Sequence, residues 1–475
     1  MPVSVKEIRI LVSSDKITIV RSQGMPGNGN WRKDYIKLEM SIARIFHKVL
    51  NKYRLTSAFE KNDYEILGKM LFKILMMDDE AKNFFLSRVK EIREDPQTHC
   101  RIYLRFDGNV KELDTLPWEY MLIEDEHDDK LVPFYLGADP GLQFDLIRSV
   151  GDETYKKNPD KNEELRIIVI ISNPINPPDK RVPLDNMALM EMFRRLQAKY
   201  KIIHTYQRID EKPKENTFID DLKEALQQID GPYVLHFYGH AKMEDQKGFI
   251  GFTGDTDQLS WLADSEFADF FNSNADFMKP EVVLLQACES GQVGKHYEGD
   301  ASGVAVCLAL KNIPAVIGMQ NVVNEDVSID FVECFYESLL MGDDVATAVT
   351  KGRKHLGCTL KKKPRDYYCD NTFGTPVLFI STSEPIRLLP ARANSSEAGP
   401  GLVDKVCTVC KWPYKQVNPA KERCTRDFCR GKLVLVEERT SQTVTNGSDT
   451  DLIRKELTQD ITAIPAVPLK ATESR

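Results

Sequence analysis

The stretch "VVLLQACESG" (282–291) carries an apolar run into a cysteine and then breaks at Ser290-Gly291. An unbroken apolar run of this kind is typical of a strand that is buried on both faces, as in a parallel sheet. Ligands of such sheets bind at the carboxyl ends of the strands, which is where Cys288 falls. Cys288 is therefore either a nucleophile at a sheet edge or, like many free cysteines, a buried thiol.

The sequence on both sides of this stretch alternates apolar strands with helical patterns of 10–15 residues. This alternation predicts parallel pairing and an α/β/α sandwich around a mostly parallel six-stranded sheet. The six predicted strands are "LRIIVIIS" (165–172), "KIIHTYQRI" (201–209), "YVLHFYGHA" (233–241), "EVVLLQA" (281–287), "IPAVIGM" (313–319) and "TPVLFI" (375–380).

Composition predicts where the domains begin and end. The charged stretch 151–164 contains almost no apolar residue and marks a boundary. The linker is rich in Ser, Pro, Ala and Gly, and the tail lacks an apolar period, which favours disorder. The predicted parts are an N-terminal α/β region (1–150), the six-stranded core (165–382), a linker (383–404), a four-cysteine module (405–436) and a disordered tail (437–475).

Charge and hydropathy exclude some classes of protein. The 475 residues include 64 Lys and Arg against 72 Asp and Glu, a net charge of −8, which argues against a nucleic-acid surface over the whole protein. No apolar run reaches the roughly 18 residues that a membrane span needs, and the first twenty residues lack a signal-peptide cleavage site. We therefore expect a cytoplasmic protein without a membrane partner, whose ten cysteines are thiols or metal ligands.

A histidine ends another predicted strand. His240 closes "YVLHFYGHA" and lies 48 residues before Cys288. Neighbouring parallel strands would bring the two side chains to one edge of the sheet, where an imidazole can take up and return the proton of a nucleophilic thiol. A Gln-Ala-Cys with a histidine about 50 residues upstream is the known caspase pattern, so the spacing is not an independent derivation.

Several further segments share the order of a known family. The chain resembles the CHAT-domain proteins, caspase-like cysteine peptidases of the clan that includes separase. The matching segments span residues 100–382 and include "TLPWEYM" (115–121), "LHFYGHA" (235–241), "LLQACESG" (284–291), "GDASGVAVCLALKNIPAVIGMQ" (299–320), "FYESLLMGDDVATAVTKGRK" (335–354) and "GTPVLFIS" (374–381).

The resemblance implies a cysteine endopeptidase that cleaves a protein substrate. It implies His240 as the general base, Cys288 as the nucleophile, and the backbone N–H groups of Cys288 and Ala241 as the oxyanion hole. Relatives usually have glycine near the position of Ala241. Gln286 corresponds to a residue of the first substrate subsite, and its neutral amide weakly disfavours a basic P1 residue. Bacterial members often belong to defence or programmed-death modules, where they process a toxic partner.

Other residues near the predicted site have simpler interpretations. Cys307 and Cys334 lie on apolar helix faces and are predicted to pack in the core. His236 shares a strand face with His240 but lies further from the sheet edge, so we expect a packing or supporting role. Glu289 is adjacent to the cysteine, and its carboxylate would oppose formation of the thiolate.

Four cysteines form a separate cluster after the linker. Cys407, Cys410, Cys424 and Cys429 have the spacing C-x2-C-x13-C-x4-C, and four thiolates are a ligand set for structural Zn²⁺. A segment this short would hardly fold without a metal. The alternative is a set of scattered reduced thiols. A closed four-thiolate site has no open position and would not be catalytic.

The same module is strongly basic. Residues 405–432 hold eight Lys or Arg against Glu422 and Asp427, so a regulatory protein or nucleic acid is a possible partner, with protein favoured. Two alternatives to a peptidase stay open: a catalytically inert caspase-like scaffold, and a sensor that acts through the zinc module. For a peptidase we expect residues 394–475 to inhibit or target the enzyme.

Overall fold

The computed structural model divides into two compact units, Met1–Ser395 and Ser396–Arg475. The predicted tail and most of the four-cysteine module lie outside the described residues, as do 391–402 of the linker region. The described residues are 4–13, 16–21, 28–32, 61–95, 98–107, 113–125, 131, 133–139, 141–150, 164–172, 186–200, 203–209, 218–229, 231–253, 259–273, 277–294, 302–321, 325–359, 371–382, 384–390, 403–407, 413–417 and 433–435.

Nineteen strands and eight α-helices lie within these described ranges. The strands are β1 (Ser4–Val12), β2 (Lys16–Arg21), β3 (Gly29–Arg32), β4 (Thr98–Phe106), β5 (Leu122–Ile123), β6 (Phe134–Tyr135), β7 (Phe144–Ser149), β8 (Leu165–Ile171), β9 (Ile203–Ile209), β10 (Val234–Tyr238), β11 (His240–Glu244), β12 (Lys247–Thr253), β13 (Leu259–Ala263), β14 (Val282–Gln286), β15 (Ala315–Met319), β16 (Pro376–Ile380), β17 (Val403–Cys407), β18 (Pro413–Val417) and β19 (Leu433–Leu435). The helices are α1 (Lys61–Leu75), α2 (Asp79–Glu94), α3 (Asn186–Lys199), α4 (Phe218–Gln227), α5 (Asp264–Ser273), α6 (Val304–Leu310), α7 (Glu325–Leu340) and α8 (Val345–Thr359).

The main sheet is mostly parallel but wider than the six strands predicted. In the part of the chain that the structure describes it has eleven strands, in the order β3-β2-β1-β4-β7-β16-β15-β14-β10-β8-β9. The six predicted segments are the contiguous half from β16 to β9, with β16 antiparallel to β15. Five N-terminal strands extend the sheet through β7, which pairs in parallel with β16. The count of six was wrong for the sheet because strand patterns do not reveal which strands become neighbours.

Strand β14 is buried on both faces, as its apolar run predicts. Val282 and Leu284 pack in the hydrophobic cluster on one side, while Val283 and Leu285 pack in a second cluster. Successive side chains of a strand point to opposite faces, so both faces of β14 contribute to the core. This burial removes the strand from solvent. Polar side chains begin only at its carboxyl end, at Gln286.

A small antiparallel sheet begins directly after β10. Its strands are ordered β11-β12-β13, and β11 starts at His240. Ala241 and Ile250 form a cross-strand pair whose side chains are buried in a core cluster. This packing attaches the small sheet to the body of the protein and thereby fixes the backbone around His240.

A buried ion pair joins β4 to β7 in the N-terminal half of the sheet. The Nε2 atom of His99 lies 2.5 Å from Oδ2 of Asp145, and its Nδ1 atom lies 2.9 Å from the carbonyl oxygen of Leu142. Burial alone would lower the pKa of His99, but the hydrogen bond and charge of Asp145 raise it overall. Both ring nitrogens face acceptors, which suits the protonated imidazolium.

We expect His99→Gln to destabilise the protein more at pH 5.5 than at pH 8.5. A histidine with a raised folded-state pKa stabilises the fold below its unfolded pKa, and this contribution is lost as the pH rises through the folded pKa. Asp145 has a lowered pKa and stays ionised in this window. A charged hydrogen bond is worth about 1.5–3 kcal/mol. Urea unfolding at the two pH values measures the difference, and equal losses at both would contradict the assignment.

The second unit contains a three-stranded antiparallel sheet ordered β18-β17-β19. Cys407 is the last residue of β17, and β18 begins at Pro413. Cys410, Cys424 and Cys429 lie outside the described residues. Across the described ranges, no helix is long and apolar enough to cross a membrane.

Candidate active site

The two predicted catalytic residues follow neighbouring parallel strands at the same end of the sheet. Strands β10 and β14 pair in parallel, and Tyr238 lies opposite Gln286 in their last register position. His240 and Cys288 each come two residues later. The N–H of Gly239 donates to the carbonyl oxygen of Gln286 at 3.4 Å. This backbone hydrogen bond joins the segment that leads to His240 to the end of β14, which leads to Cys288.

Close packing restricts the residue just before His240. A Cβ atom on Gly239 would lie 2.6 Å from the Phe237 ring and 3.1 Å from Cβ of Ser172. Any larger residue would have to displace the Phe237 ring and would crowd Ser172, which directly follows β8. The imidazole itself is 9 % exposed, so His240 lies at the base of the sheet edge rather than on the open surface.

The turn that carries Cys288 is anchored to strand β15. The hydroxyl of Ser290 lies 2.8 Å from the carbonyl oxygen of Ala287 and accepts a hydrogen bond from the Met319 N–H at 3.0 Å. The N–H of Gly291 donates to the carbonyl oxygen of Met319 at 2.9 Å. Ser290 is fully buried, so these bonds are shielded from water. The sequence predicts only a break in the chain at Ser290-Gly291 and gives no signal for this anchoring role.

Gly291 lets this turn approach β15 closely. A Cβ atom added to Gly291 would lie 2.7 Å from the carbonyl carbon of Gly318, and one added to Gly318 would lie 2.7 Å from Gly291. The two backbones therefore touch without intervening side chains. In the sequence, the only trace of this contact is the presence of Gly291 and Gly318 in two separate segments. Nothing in the order of residues indicates that these two glycines are in contact.

Glu289 makes the second connection of the turn. Its Oε2 atom accepts a hydrogen bond from the backbone N–H of Met243, 3.2 Å away, on the strand that His240 begins. The backbone φ of Glu289 is 60°, in the left-handed region that residues other than glycine rarely adopt. From sequence, Glu289 is predicted only to oppose the thiolate by its charge, whereas in the structure its carboxylate has a backbone partner.

The structure describes the burial of four free cysteines, one of which is Cys288. Cys288 and Cys334 are partly exposed, while Cys100 and Cys307 are buried. Burial raises the pKa of Cys334 to about 12 and raises the pKa values of Cys100 and Cys307 as well. Those three thiols are therefore protonated at neutral pH, which agrees with the packing role predicted for Cys307 and Cys334.

Gln286 takes part in a buried hydrogen-bond chain below the sheet edge. Its Oε1 atom lies 2.9 Å from Nε2 of His236, and its Nε2 atom donates to the Ser328 hydroxyl at 2.8 Å. The side chain is only 4 % exposed. Its amide thus belongs to an interior network, and the subsite role of Gln286 stays a prediction.

His236 is the neutral centre of this chain. Burial lowers its pKa to about 4, so it is uncharged at neutral pH. With Gln286 accepting at Nε2, the proton belongs on Nε2, and Nδ1 accepts from the hydroxyl of Tyr336 at 3.1 Å. The predicted supporting role of His236 thus has a physical form, a hydrogen-bond chain that holds the end of β14.

A hydrogen-bond chain connects the "TLPWEYM" segment to the residues that follow Cys288. Glu119 is fully buried and accepts from both Nε and Nη2 of Arg148, at 3.0 and 2.6 Å. Its Oε2 atom also accepts from Gln320, whose carbonyl oxygen accepts from the side chain of Gln292 at 3.0 Å. Glu119 is therefore linked through two glutamines to the segment that follows Cys288.

Among the described residues, no group of three or more His, Cys, Asp or Glu side chains is arranged to hold a metal ion. The four predicted zinc ligands are a separate matter, since three of them lie outside the described residues and only the backbone of Cys407 is described.

Residues 66–368 match the model of the CHAT domain family, and the chain belongs to that family. The match covers both strand ends that carry His240 and Cys288, as well as the "TLPWEYM" segment. No curated protein sequence matches the chain.

Three solved structures are similar to part of the chain. The separase–securin complex of Saccharomyces cerevisiae matches with a TM-score of 0.36 and 15% identity, over 61% of this chain and 15% of that one. The complex of Porphyromonas gingivalis RgpB pro- and mature domains matches with a TM-score of 0.38 and 12% identity, over 66% and 71%. A secreted C11 cysteine protease from Bacteroides thetaiotaomicron matches with a TM-score of 0.28 and 13% identity, over 41% of this chain and 59% of that one. All three TM-scores are below 0.5, so the family assignment depends on the CHAT match.

Proposed function

We propose that the protein is a cysteine endopeptidase in which His240 and Cys288 form the catalytic dyad. The observation that supports this most is the register of β10 and β14. Tyr238 and Gln286 are partners in this register, and His240 and Cys288 each follow two positions later. The partly exposed thiol and the anchored turn around it are what a nucleophile needs. Membership of the CHAT family agrees with this reaction class.

In the proposed reaction His240 accepts the thiol proton while the Cys288 sulfur attacks the carbonyl carbon of a peptide bond. The N–H groups of Cys288 and Ala241 stabilise the resulting oxyanion. The intermediate collapses to a thioester as His240 passes the proton to the leaving amine. A water molecule then attacks the thioester carbonyl carbon while His240 accepts its proton. The C–S bond breaks, the second product leaves as a carboxylic acid, and His240 returns the proton to the Cys288 sulfur.

A thiol-reactivity experiment tests the dyad without a known substrate. We expect iodoacetamide to alkylate Cys288 at pH 7 about 10-fold or more faster than Cys334. His240 would take up the proton of Cys288, whereas burial raises the pKa of Cys334 to about 12 and keeps that thiol protonated. Peptide mass spectrometry measures both rates in one sample. His240→Ala should slow labelling of Cys288 and leave Cys334 unchanged. Equal rates for the two thiols in the wild type would exclude an activated Cys288.

The alternative function is an inert caspase-like scaffold or a sensor that acts through the zinc module. Equal labelling of Cys288 and Cys334, together with no cleavage of any protein, favours that alternative. A role in bacterial defence, a P1 preference set by Gln286, and control by residues 394–475 remain expectations that the dyad experiment does not address.

We also propose a structural Zn²⁺ held by Cys407, Cys410, Cys424 and Cys429. The support is that β17 ends at Cys407 and pairs antiparallel with β18, which begins at Pro413, so that Cys410 falls in the sequence between two paired strands. Bound zinc would cross-link this connection to the later cysteines and stabilise a module with a small core.

Native mass spectrometry of the full chain tests the zinc proposal. We expect one zinc ion per chain in the wild type and none in Cys424→Ser. Cys307→Ser is the matched control, since its thiol is buried in α6, and it should retain the ion. A metal-free wild type, or zinc retained by Cys424→Ser, would rule out the four-thiolate site.

A further inference from the structure

The connection between Glu289 and β11 involves the two segments that carry the proposed dyad. Glu289 directly follows Cys288, and Met243 lies three residues after His240 on β11. The hydrogen bond from the Met243 N–H to the Glu289 carboxylate is a bond between a charged acceptor and a backbone donor, which is stronger than a neutral one. It is therefore a direct mechanical link between the nucleophile's turn and the histidine's strand.

The geometry of β11 indicates which way its backbone groups point. In an antiparallel pair, residues alternate between those that bond across the pair and those that point outward. Met243 pairs with Gly248, yet the Met243 N–H binds Glu289 and the Gly248 N–H binds Asp264 at 3.0 Å. Both groups at this position thus point away from the β11–β12 ladder.

The same alternation orients Ala241. Backbone groups two residues apart on a strand point to the same side, so the Ala241 N–H points to the side on which Glu289 binds Met243. That is the side of the turn that carries Cys288. An N–H in this orientation is what the proposed oxyanion hole requires of Ala241.

The backbone of Glu289 shows that this arrangement is maintained at a cost. A φ of 60° is unfavourable at a residue other than glycine and persists where surrounding contacts impose it. The carboxylate bond to Met243 on one side and the Ser290 and Gly291 bonds to Met319 on the other are such contacts. Cys288 thus directly precedes a residue, Glu289, whose backbone is held by contacts on both sides.

We propose that Glu289 is a positioning residue that clamps the Cys288 turn to β11 and so sets the distance between the sulfur, His240 and the Ala241 N–H. The inference rests on the proposed peptidase function and deepens it. Glu289 acts through the backbone of Met243 and does not exchange protons with substrate. Its negative charge is directed to a backbone N–H, which limits the unfavourable effect of that charge on the neighbouring thiolate.

Three substitutions separate the acceptor, the charge and the backbone conformation of Glu289. Glu289→Ala removes the acceptor, Glu289→Gln keeps an oxygen acceptor without the charge, and Glu289→Gly removes the acceptor while permitting the left-handed φ. We expect kcat to fall about 10- to 100-fold in the alanine and glycine variants with little change in KM, because misplacement of reacting groups by about 1 Å costs up to that much. Glutamine should restore most of kcat.

Hydrogen exchange at the Met243 amide gives a readout that does not depend on activity. Loss of the acceptor should speed this exchange in the alanine and glycine variants but not in the glutamine variant. Glu244→Ala is the matched control, because its carboxylate lies on the same strand and binds only the surface side chain of Lys242 among the contacts described. It should leave kcat and Met243 exchange unchanged.

The outcomes distinguish this inference from the proposed function. If the wild type cleaves, Cys288→Ala does not, and Glu289→Ala retains full kcat, the clamp is refuted while the peptidase function stands. Faster Met243 exchange with unchanged kcat would show a bond without a positioning role and would also refute it. If the wild type and Cys288→Ala cleave alike, the peptidase function fails and the inference fails with it.

Discussion

Replacement of Cys288 by alanine is expected to abolish proteolysis, with a loss of about 10⁴-fold or more in the cleavage rate. The physical reason is that a methyl group cannot form the thioester, and removal of a nucleophile that acts as a unit with its base leaves only the residual effect of binding and the oxyanion hole. The substrate is identified in the same experiment, by incubating purified protein with cell lysate and mapping the new N-termini by mass spectrometry.

The control for this prediction is Cys334→Ala. Cys334 is partly exposed like Cys288, but burial raises its pKa to about 12, and it lies on helix α7 rather than in a segment that follows β10 or β14. We expect the Cys334→Ala pattern of N-termini to equal the wild-type pattern. New N-termini that appear equally with wild type and Cys288→Ala would show that another activity produces them, and the catalytic assignment would be withdrawn.

The largest stability effect is expected for Arg148→Met. Arg148 makes a bidentate pair with Glu119 and also donates to the carbonyl oxygens of Asp114 and Leu116. The substitution leaves a fully buried carboxylate whose remaining contacts among the described residues are Gln320 and, at 3.8 Å, the Arg353 guanidinium. Breaking one side of a buried pair costs about 3–5 kcal/mol, so urea unfolding should shift to markedly lower urea concentration.

Two further variants show whether burial is the reason. Arg195 makes the same bidentate contact with Glu333 on the surface, and its side chain is 50% exposed. Arg195→Met should therefore cost less than about 1 kcal/mol. The double variant Arg148→Met with Glu119→Gln should recover part of the loss, because it no longer buries an unpaired charge. Similar losses for Arg148→Met and Arg195→Met would contradict this account.

The local sequence pattern was sufficient for the strands of the core. Apolar runs such as 282–286 identify strands without tertiary information, because a strand buried on both faces needs apolar residues at every position. All six segments predicted as core strands belong to the main sheet. The same pattern did not reveal that β7 adjoins β16, because pairing between distant strands depends on the path of the whole chain.

The catalytic roles of His240 and Cys288 stay predictions, and the contacts that hold their segments in place were not predicted. The order of motifs identified His240 and Cys288, and parallel pairing brings their strands together. The clamp by Glu289, the anchor of Ser290 on Met319 and the Tyr336–His236–Gln286 chain were not predicted. These contacts join residues up to 100 positions apart, and no periodicity within one segment encodes such a partner.

The linear order of residues by itself determined the family, the alternation of strands and helices, and the two strand ends that carry a thiol and an imidazole. Only the tertiary structure decided that eleven strands of the described chain form one sheet, that Gln286 points into an interior network, and that the Glu289 carboxylate binds β11. The reason is that burial of apolar side chains is a local property readable from periodicity, whereas each hydrogen bond needs a particular partner that folding brings from elsewhere in the chain.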